Sequence, residues 1–317
     1  MSYCELDVIE SFLTRYIAYP DEHSSVAHTL WIMHTYFTGS EWSSLGTSPR
    51  LAFLSATPGC GKTRCLEVTE LLVGGEPVFG TATGAVLVRL LGKHEKQVEK
   101  GELSGDEPLP VLLYDEAEKL YHREADNAEM VSVLNRGYRR GQREYKCAAN
   151  TNEPEKFPCF CPAAITSTKP LPDSVLTRSI TIRIKKRLGT EPVEPFRHAF
   201  ALAEATPIKE DIWDWVSAHG QDVLRAVGNS VPVVDREAEI WEPMLAIADA
   251  AGGDWPDRAR EACRFFCTRI GAERENDELR LLVDCKEVFE DSERLSSEHL
   301  IQRLVNLPDT QWRDSRG

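Results

Sequence analysis

Hydrophobic and polar positions divide the chain into three stretches of different periodicity. In residues 7–37, apolar side chains recur every three or four positions and Pro20 interrupts the pattern once, which predicts two helices. From about residue 51 to 188, short apolar runs alternate with helical patterns. Beyond residue 189 the pattern is helical. We therefore expect an α/β core between two helical regions.

The short apolar runs of the middle stretch have the length of buried strands. Strands that alternate with helices are typical of a mainly parallel sheet covered on both faces, which makes a three-layer core. The polar run at 93–110, KHEKQVEKGELSGDEPLP, is predicted to be a loop. The predicted strands are LAFLSA, PVFGTA, VLLYD, EYKCAA, AAITST and SITIRI.

Four parts are expected along the chain: an N-terminal helical region (1–48), the α/β core (49–188), a helical lid (189–270) and a C-terminal helical pair (271–317). The second helix of the pair has Ser296 or Ser297 as its expected N-cap. No wing-like hairpin follows, so the pair is expected to be an incomplete winged-helix-like piece.

Composition and charge narrow the class of protein. The 317 residues are 42% apolar and 28% charged, which is ordinary for a soluble protein. No charge-free apolar run approaches the roughly 18 residues of a membrane span, and the acidic start lacks the basic region of a signal peptide. The nine cysteines are scattered without the spacing of a disulfide framework, which fits a reducing compartment. We therefore expect a cytoplasmic protein with no membrane partner. The net charge of −14 argues against a chain coated in nucleic acid, although a motor with one basic channel remains compatible with it.

A glycine-rich turn follows the first predicted strand of the core. Residues 56–63, ATPGCGKT, match G-x-x-x-x-G-K-[ST] with alanine replacing the first glycine. Gly59 and Gly61 allow backbone N–H groups to curl around phosphate oxygens, at the point where the next helix begins. Lys62 is expected to reach the β- and γ-phosphates and Thr63 to hold Mg²⁺. The predicted ATP-binding residues are Thr57, Pro58, Gly59, Cys60, Gly61, Lys62, Thr63 and Arg64.

An acidic pair ends another predicted strand, VLLYDE (111–116). Asp115 at the strand tip is expected to bind Mg²⁺, because hard cations prefer oxygen ligands. Glu116 is the candidate that orients or deprotonates the attacking water. Such a pair also occurs at ordinary helix starts, but the glycine-rich turn about fifty residues upstream favours catalysis.

These motifs resemble the AAA+ ATPases and the related superfamily 3 helicases. More closely, the chain resembles ATPase domains of unknown function found in actinobacterial phages, prophages and plasmids, often fused to primase- or helicase-like modules. The similarity extends over nearly the whole chain, with a longer polar insertion at 92–110. It rests on the segments TPGCGKTRCLEVTELLV, LLYDEAEKL, LNRGYRRG, LPDSVLTRSITIRIKKR, VEPFR and AEIWEPMLAIADAAGGDWPDRAR. The resemblance implies a P-loop core with a helical lid.

The resemblance also implies a sensor hydroxyl at the end of the strand between the loop strand and the acidic strand. In AAITSTKP, alignment on the Lys-Pro pair gives this role to Thr168, with Thr166 and Ser167 as alternatives. A hydroxyl there can bond the γ-phosphate or the attacking water. The plainer alternative is a turn residue at a strand end.

An arginine finger is implied near the end of the following helix, where PDSVLTRSITI places Arg178. A guanidinium delivered to the γ-phosphate of a neighbouring subunit would stabilise phosphoryl transfer. That role implies a homo-oligomer, such as a hexameric ring. The competing interpretation is an exposed arginine that caps a helix. Arg236 and Arg258 are both candidates for a second, lid-borne sensor arginine, and for either one alone an ordinary surface residue is the favoured interpretation.

The segment 136–146 departs from the acidic average of the chain. Replicative helicases of the resembling class insert a DNA-gripping hairpin after this point, so Arg139, Arg140, Arg143 and Lys146 are candidates for DNA contact. A solvated basic face is the alternative.

Three functions follow from these observations. The first is an ATP-driven DNA helicase or translocase in phage or plasmid replication. The second is an ATP-controlled interaction protein, such as a helicase loader or a phage protein that remodels or inhibits a host replication complex. The third is a small-molecule kinase, against which Glu116 counts, since a water-activating acid is more characteristic of hydrolases.

Overall fold

A computed structural model describes residues 4–57, 59–80, 82–121, 125–147, 154–187, 193–289 and 294–306. Helices begin and end the described chain, and strands occupy its middle. The α-helices are α1 (Glu5–Tyr16), α2 (Glu22–Thr35), α3 (Lys62–Glu70), α4 (Gly84–Glu99), α5 (Ala125–Arg136), α6 (Asp173–Leu176), α7 (His198–Ala226), α8 (Asp235–Ala251), α9 (Trp255–Phe289) and α10 (Ser297–Asn306).

Five strands form one parallel sheet in the order β2-β3-β6-β1-β7. They are β1 (Arg50–Leu54), β2 (Pro77–Gly80), β3 (Val111–Tyr114), β6 (Ala163–Ser167) and β7 (Ser179–Arg183), while β4 (Arg143–Cys147) and β5 (Pro154–Pro158) pair with each other as an antiparallel hairpin. The mixed α/β class and the parallel sheet are thus as the alternation predicts. Strand β6 lies between β1 and β3, the position that the resemblance implies for the sensor strand.

Alternate residues of β1 pack into two different helical layers, as the period of a strand requires. Ala52 and Leu54 belong to an apolar cluster with residues of α4 and α5. On the other face, the ring of Phe53 lies 5.1 Å from that of His28 on α2. Both faces of the sheet are therefore covered, and every residue of β1 is buried.

A fully buried arginine holds the start of β1. The guanidinium of Arg50 donates to the carbonyl oxygen of Leu134 at 3.0 and 3.1 Å and to that of Cys161 at 2.5 Å. Burial lowers its pKa. Because these carbonyls belong to the end of α5 and the approach to β6, Arg50 fixes both elements against β1.

Helices exceed their predicted lengths in two places. Helix α4 continues to Glu99, so the first part of the polar run at 93–110 is helical and the predicted loop there is wrong. Polar residues without proline do not end a helix, and Gly101 follows its C-cap with φ +70°. Helix α9 continues through residue 271, where the C-terminal helical pair was expected to begin, because the stretch 271–277 holds one glycine and no proline.

The chain divides into two compact units, residues 1–264 and 265–317. In the second unit, Arg303 on α10 donates to the carbonyl oxygen of Val288 at 3.0 Å. The hydroxyl of Ser296 accepts from the backbone N–H of His299, so the N-cap of α10 is Ser296. None of the described helices combines the length and apolarity that crossing a bilayer requires.

Two buried histidines of α2 predict an acid-labile fold. Burial lowers the pKa of His28 and of His34 from 6.5 to about 3. His28 is bonded to Tyr19 and Thr69, whereas neither ring nitrogen of His34 has a hydrogen-bond partner among the described residues. Since the unfolded chain binds a proton below pH 6.5 and the folded chain does not, the stability from each neutral ring is present above pH 6.5 and is lost as the pH falls towards 3.

We expect His34→Leu to weaken this pH dependence by up to about 1.4 kcal/mol per pH unit between pH 6 and 4, because one titrating site is removed. Urea unfolding of both proteins at pH 7.5, 6 and 5 measures the change. Parallel stability curves for variant and parent would contradict it.

Candidate functional site

The glycine-rich turn connects the carboxyl end of β1 to α3. Gly59 and Gly61 have φ values of +71° and +97°, which side chains other than glycine rarely adopt. A Cβ atom added at either residue would meet no heavy atom within 4 Å, so the backbone here faces open space. Gly61 is the N-cap of α3 and provides no side-chain cap, and no acidic residue lies in the first turn of the helix. The turn therefore presents uncapped N–H groups and a positive helix end to that space. Of the predicted ATP-binding residues, Pro58 lies outside the described residues.

Lys62 folds back over this turn. Its Nζ donates to the carbonyl oxygens of Ser55 at 3.1 Å and Thr57 at 3.4 Å, and it lies 3.7 Å from Sγ of Cys60. The ammonium group is thus held over the turn by neutral carbonyl groups, which an anion could replace with a stronger, charge-assisted bond.

The acidic strand and the sensor strand meet the turn at one edge of the sheet. The hydroxyl of Thr63 donates to Oδ2 of Asp115 at 3.2 Å. The hydroxyl of Thr166 donates to Oδ1 of Asp115 in a short hydrogen bond and accepts from the N–H of Glu116 at 3.2 Å. Parallel strands β1, β3 and β6 end at this edge, so three distant segments place their polar groups together.

Of the three hydroxyl residues considered for the sensor, Thr166 is the one that contacts the acidic pair. Thr168 lies beyond the end of β6, and its N–H donates to a carboxylate oxygen of Glu118 at 3.2 Å. Burial raises the pKa of Glu118, but hydrogen bonds from the backbone and from the side chains of Thr168 and Ser167 outweigh it and lower the pKa overall. Glu118 thus holds the turn after β6. The sequence argument missed it, although it lies two residues beyond the acidic pair.

Glu116 has an unusual backbone conformation for a residue with a side chain. Its φ is +57°, a region that costs free energy and is found at functional sites. The carboxylate accepts from Nζ of Lys119 at 2.5 Å, and this bond raises the pKa of Lys119. The side chain of Glu116 is 58% exposed and that of Lys119 is 50% exposed, so the ion pair can separate at little cost in free energy.

A cavity of about 470 Å³ adjoins the turn. Its walls are residues 16–18, the turn at 59–61, Arg64 and Cys65 of α3, the segment 193–196, and Ile184, Lys186 and Arg187 beyond β7. The rings of Tyr16 and Phe196 meet edge to face at 5.3 Å, and the guanidinium of Arg64 lies 4.2 Å above the ring of Phe196. This volume and the mixture of aromatic and polar walls are typical of small-molecule sites. Sequence reasoning placed Arg64 here but missed the two aromatic walls.

Arg178 lies at the opposite edge of the sheet, immediately before β7. Its guanidinium caps α6 through the carbonyl oxygen of Ser174 and lies 4.9 Å from the ring centre of Tyr138. Arg236 donates to the hydroxyl of Thr177 at 3.2 Å, and Arg258 makes two bonds of 2.7 Å to Glu10. Neither lid-sensor candidate lines the cavity beside the turn.

The candidate DNA-binding arginines are engaged within the chain. Arg139 forms an ion pair of 2.5 Å with Glu239, and Arg143 forms bonds of 2.6 and 2.7 Å with Glu95. Arg140 donates to two backbone carbonyls, and burial lowers its pKa to about 10. The side chain of Lys146 lies outside the described residues. The hairpin β4–β5 begins at Arg143 and follows Arg139 and Arg140, and on it Tyr145 is 57% exposed.

Comparisons with known proteins concern part of the chain. Residues 183–317 match the model of a family described as a protein of unknown function (DUF3631). A curated relative from Saccharopolyspora erythraea, the "Uncharacterized 28.9 kDa protein in xis 5'region", is 35% identical over 133 residues, which are 41% of this chain and 49% of the relative. The chain therefore spans about half the length of the relative it matches. The family match begins at the end of β7, so it includes the helical C-terminal half and leaves the glycine-rich turn and the acidic pair outside.

Proposed function

We propose that the chain is a Mg²⁺-dependent ATP hydrolase with a P-loop core of the AAA+ type. One observation carries this proposal: the Thr63 hydroxyl and the Asp115 carboxylate lie in contact beside an uncapped glycine turn. Two hard oxygen ligands next to an anion-binding turn suit a metal-bound phosphate chain. The adjacent cavity has the size for the nucleoside, with Tyr16 and Phe196 as apolar walls.

Each residue has a defined task in this mechanism. The N–H groups at the start of α3 and the ammonium of Lys62 bind the β- and γ-phosphates. Thr63 and Asp115 would hold Mg²⁺, which supplies neutralisation of the phosphate charge when bound. Thr166 orients the carboxylate of Asp115 and the backbone of Glu116.

Glu116 is the group that accepts a proton from, or orients, the attacking water. Its carboxylate is exposed and bonds Lys119 through one oxygen, Oε2, so the other oxygen can accept a hydrogen bond from a water molecule. Arg178 lies at the far edge of the sheet, so its proposed part in hydrolysis requires the nucleotide of a second copy and hence a homo-oligomer.

Removal of the metal tests the assignment of Thr63 and Asp115. With Mg²⁺ chelated by EDTA, we expect ATP hydrolysis to be lost and ATP binding to weaken at least about tenfold, because the phosphate charge then faces Asp115 without a cation. Calorimetric titration and phosphate release with and without Mg²⁺ measure both effects. ATP binding of equal affinity in EDTA would remove Asp115 from a metal site.

The hairpin β4–β5 supports a DNA helicase or translocase as the role of this hydrolase. It lies in the interval where the resembling helicases insert a DNA-gripping hairpin. A second role, an ATP-controlled protein switch acting on a host or phage replication protein, is favoured by Arg139 before the hairpin and Arg143 at its first position, because both are already paired with carboxylates.

ATP hydrolysis measured with and without single-stranded and double-stranded DNA separates the two roles. Stimulation that declines steeply with salt supports the motor. A rate of ATP hydrolysis that is the same with and without DNA supports the protein switch. Transfer of phosphate to an added metabolite, with little free phosphate released, would contradict both roles and indicate a kinase.

A further inference from the structure

We propose that the exposed face of α4 binds the phosphate backbone of single-stranded nucleic acid. We call this face the α4 stripe, and it consists of Arg89, Lys93, Lys96 and Lys100. The inference rests on the DNA-motor role proposed above and deepens it, because it assigns a surface to the strand. Three of these residues fall in the polar run for which the sequence predicted a loop.

The four cations form one row along the helix. They follow one another at intervals of four, three and four residues, and positions with this spacing lie on the same face of an α-helix. At a rise of about 1.5 Å per residue, the row from Arg89 to the C-cap Lys100 is about 16 Å long. All four residues are exposed. The α4 stripe is therefore a continuous cationic strip on the surface.

The two acidic residues of α4 face the hairpin and leave the stripe unneutralised. Glu95 bonds both terminal nitrogens of Arg143, and this bond, with a smaller contribution from the charge of Glu99, raises the pKa of Arg143. Lys100 pairs with Glu102 at 3.8 Å, where both side chains are more than half exposed and the attraction is weak. Within the part of the chain that the structure describes, the other three cations of the stripe take part in no ion pair.

Such a row favours a polyanion as its partner. Like charges four residues apart destabilise a helix slightly, and Arg89 with Lys93 and Lys96 with Lys100 are two such pairs. They occur in a chain whose net charge is −14. A nucleic-acid backbone carries a charge on every nucleotide and releases counter-ions when lysine and arginine replace them. Charge complementarity thus points to a phosphate backbone lying along α4.

The neighbouring hairpin favours unpaired bases over a duplex. Strand β5 packs on α4 beside the stripe, since a Cβ atom added at Gly92 would lie 3.6 Å from the ring of Phe157. On the hairpin, Tyr145 lies opposite Lys156, whose ammonium is 5.7 Å from the centre of the exposed Tyr145 ring. Proteins that bind single strands combine phosphate-tracking cations with exposed aromatic rings on which bases stack. An acidic peptide would match the cations but gives the ring no partner.

Fluorescence anisotropy of a labelled oligothymidylate, measured over a series of salt concentrations with and without Mg·ATP, tests the surface. Each phosphate contact that is lost should flatten the plot of log affinity against log salt by about 0.7. We therefore expect Arg89→Ala/Lys93→Ala to flatten it by about 1.4 and to weaken binding about tenfold or more at low salt. Arg89→Lys/Lys93→Arg, which keeps both charges, should bind as the parent does.

The matched control is Arg225→Ala/Arg264→Ala, which removes two exposed arginines from α7 and α9. It should keep the parent affinity and salt dependence. Equal weakening by the two alanine double variants would overturn the proposal, because net charge alone would then explain the effect. Parent affinity in Arg89→Ala/Lys93→Ala would overturn it as well.

Tyr145→Ala tests the assignment to a single strand. It should weaken binding about fivefold or more and leave the salt dependence unchanged, because stacking on a ring involves no counter-ion. Parent affinity in this variant would overturn that assignment. So would tighter binding of a duplex of the same length, or of polyglutamate, which would indicate an acidic protein partner.

DNA binding and ATP hydrolysis are separate measurements, so the two proposals can fail separately. Parent protein that hydrolyses ATP but binds no oligothymidylate, with or without Mg·ATP, would overturn the α4 stripe and leave the hydrolase standing. Parent protein that binds oligothymidylate through the stripe but neither binds nor hydrolyses ATP would overturn the proposed function and leave the stripe standing.

Discussion

Replacing Lys62 with alanine is expected to weaken binding of Mg·ATP by about a hundredfold and to abolish hydrolysis at micromolar ATP. A bond from a charged donor to phosphate contributes up to about 3 kcal/mol, and about 1.4 kcal/mol corresponds to a factor of ten in affinity. The folded chain should tolerate the change, because in the turn the ammonium bonds to the carbonyl oxygens of Ser55 and Thr57 and to the sulfur of Cys60, and to no carboxylate.

Isothermal titration with Mg·ATP measures this loss, and Lys96→Ala is the matched control. Lys96 is an exposed lysine on α4, away from the turn, so its removal alters the net charge equally without touching the site. Affinity for ATP that is the same in Lys62→Ala and Lys96→Ala proteins would refute the phosphate role of the glycine-rich turn.

The second large effect is expected from Glu116→Gln, which should bind Mg·ATP within about threefold of the parent affinity while hydrolysis falls 10²- to 10⁴-fold. Loss of a positioned general base or water-orienting group has effects of this size. The backbone N–H of Glu116, which bonds to Asp115 and Thr166, is unchanged by the substitution. Thr63 and Asp115 should therefore keep their positions.

Single-turnover phosphate release at saturating ATP isolates the hydrolytic step for this variant. Glu76→Gln, a change at an exposed residue before β2, controls for the loss of one negative charge. If Glu116→Gln protein releases phosphate at the parent rate, then Glu116 has no part in water activation, and the carboxylate paired with Lys119 is a surface residue.

Local signals account for much of the fold. Each predicted strand of the parallel sheet is a short apolar run, and such runs form strands wherever flanking glycines or prolines limit their length. The turn at Gly59 and Gly61 was predictable for the same reason, since positive φ values require glycine. Strand β5, PEKFP, escaped prediction because two prolines and a charged pair give no strand pattern, and only pairing with β4 makes it extended.

Features that depend on distant partners were not predictable. Which hydroxyl meets Asp115 is decided by the register of β6 against β3, where Ile165 lies opposite Tyr114. That register brings Thr166 to the acidic pair and carries Thr168 past it. Arg143 looked like a DNA contact because its neighbours in sequence are basic, while its partner Glu95 lies 48 residues away. The sequence shows that a segment is basic, but tertiary contacts decide whether its basic side chains are free to bind a partner or are paired within the chain.

The walls of the cavity have a consequence for dissecting the chain. Its walls include the end of α1 with the two residues that follow it (16–18) and the approach to α7 at 193–196. A fragment cut to begin near residue 49 or to stop near 188 would retain the glycine-rich turn and lack one of these two walls. Truncation at the borders suggested by hydrophobic patterning would thus open this cavity to water, and a start near residue 49 would also remove α2, whose His28 packs against Phe53 of β1, so the N-terminal helices are part of the same packed body as the sheet.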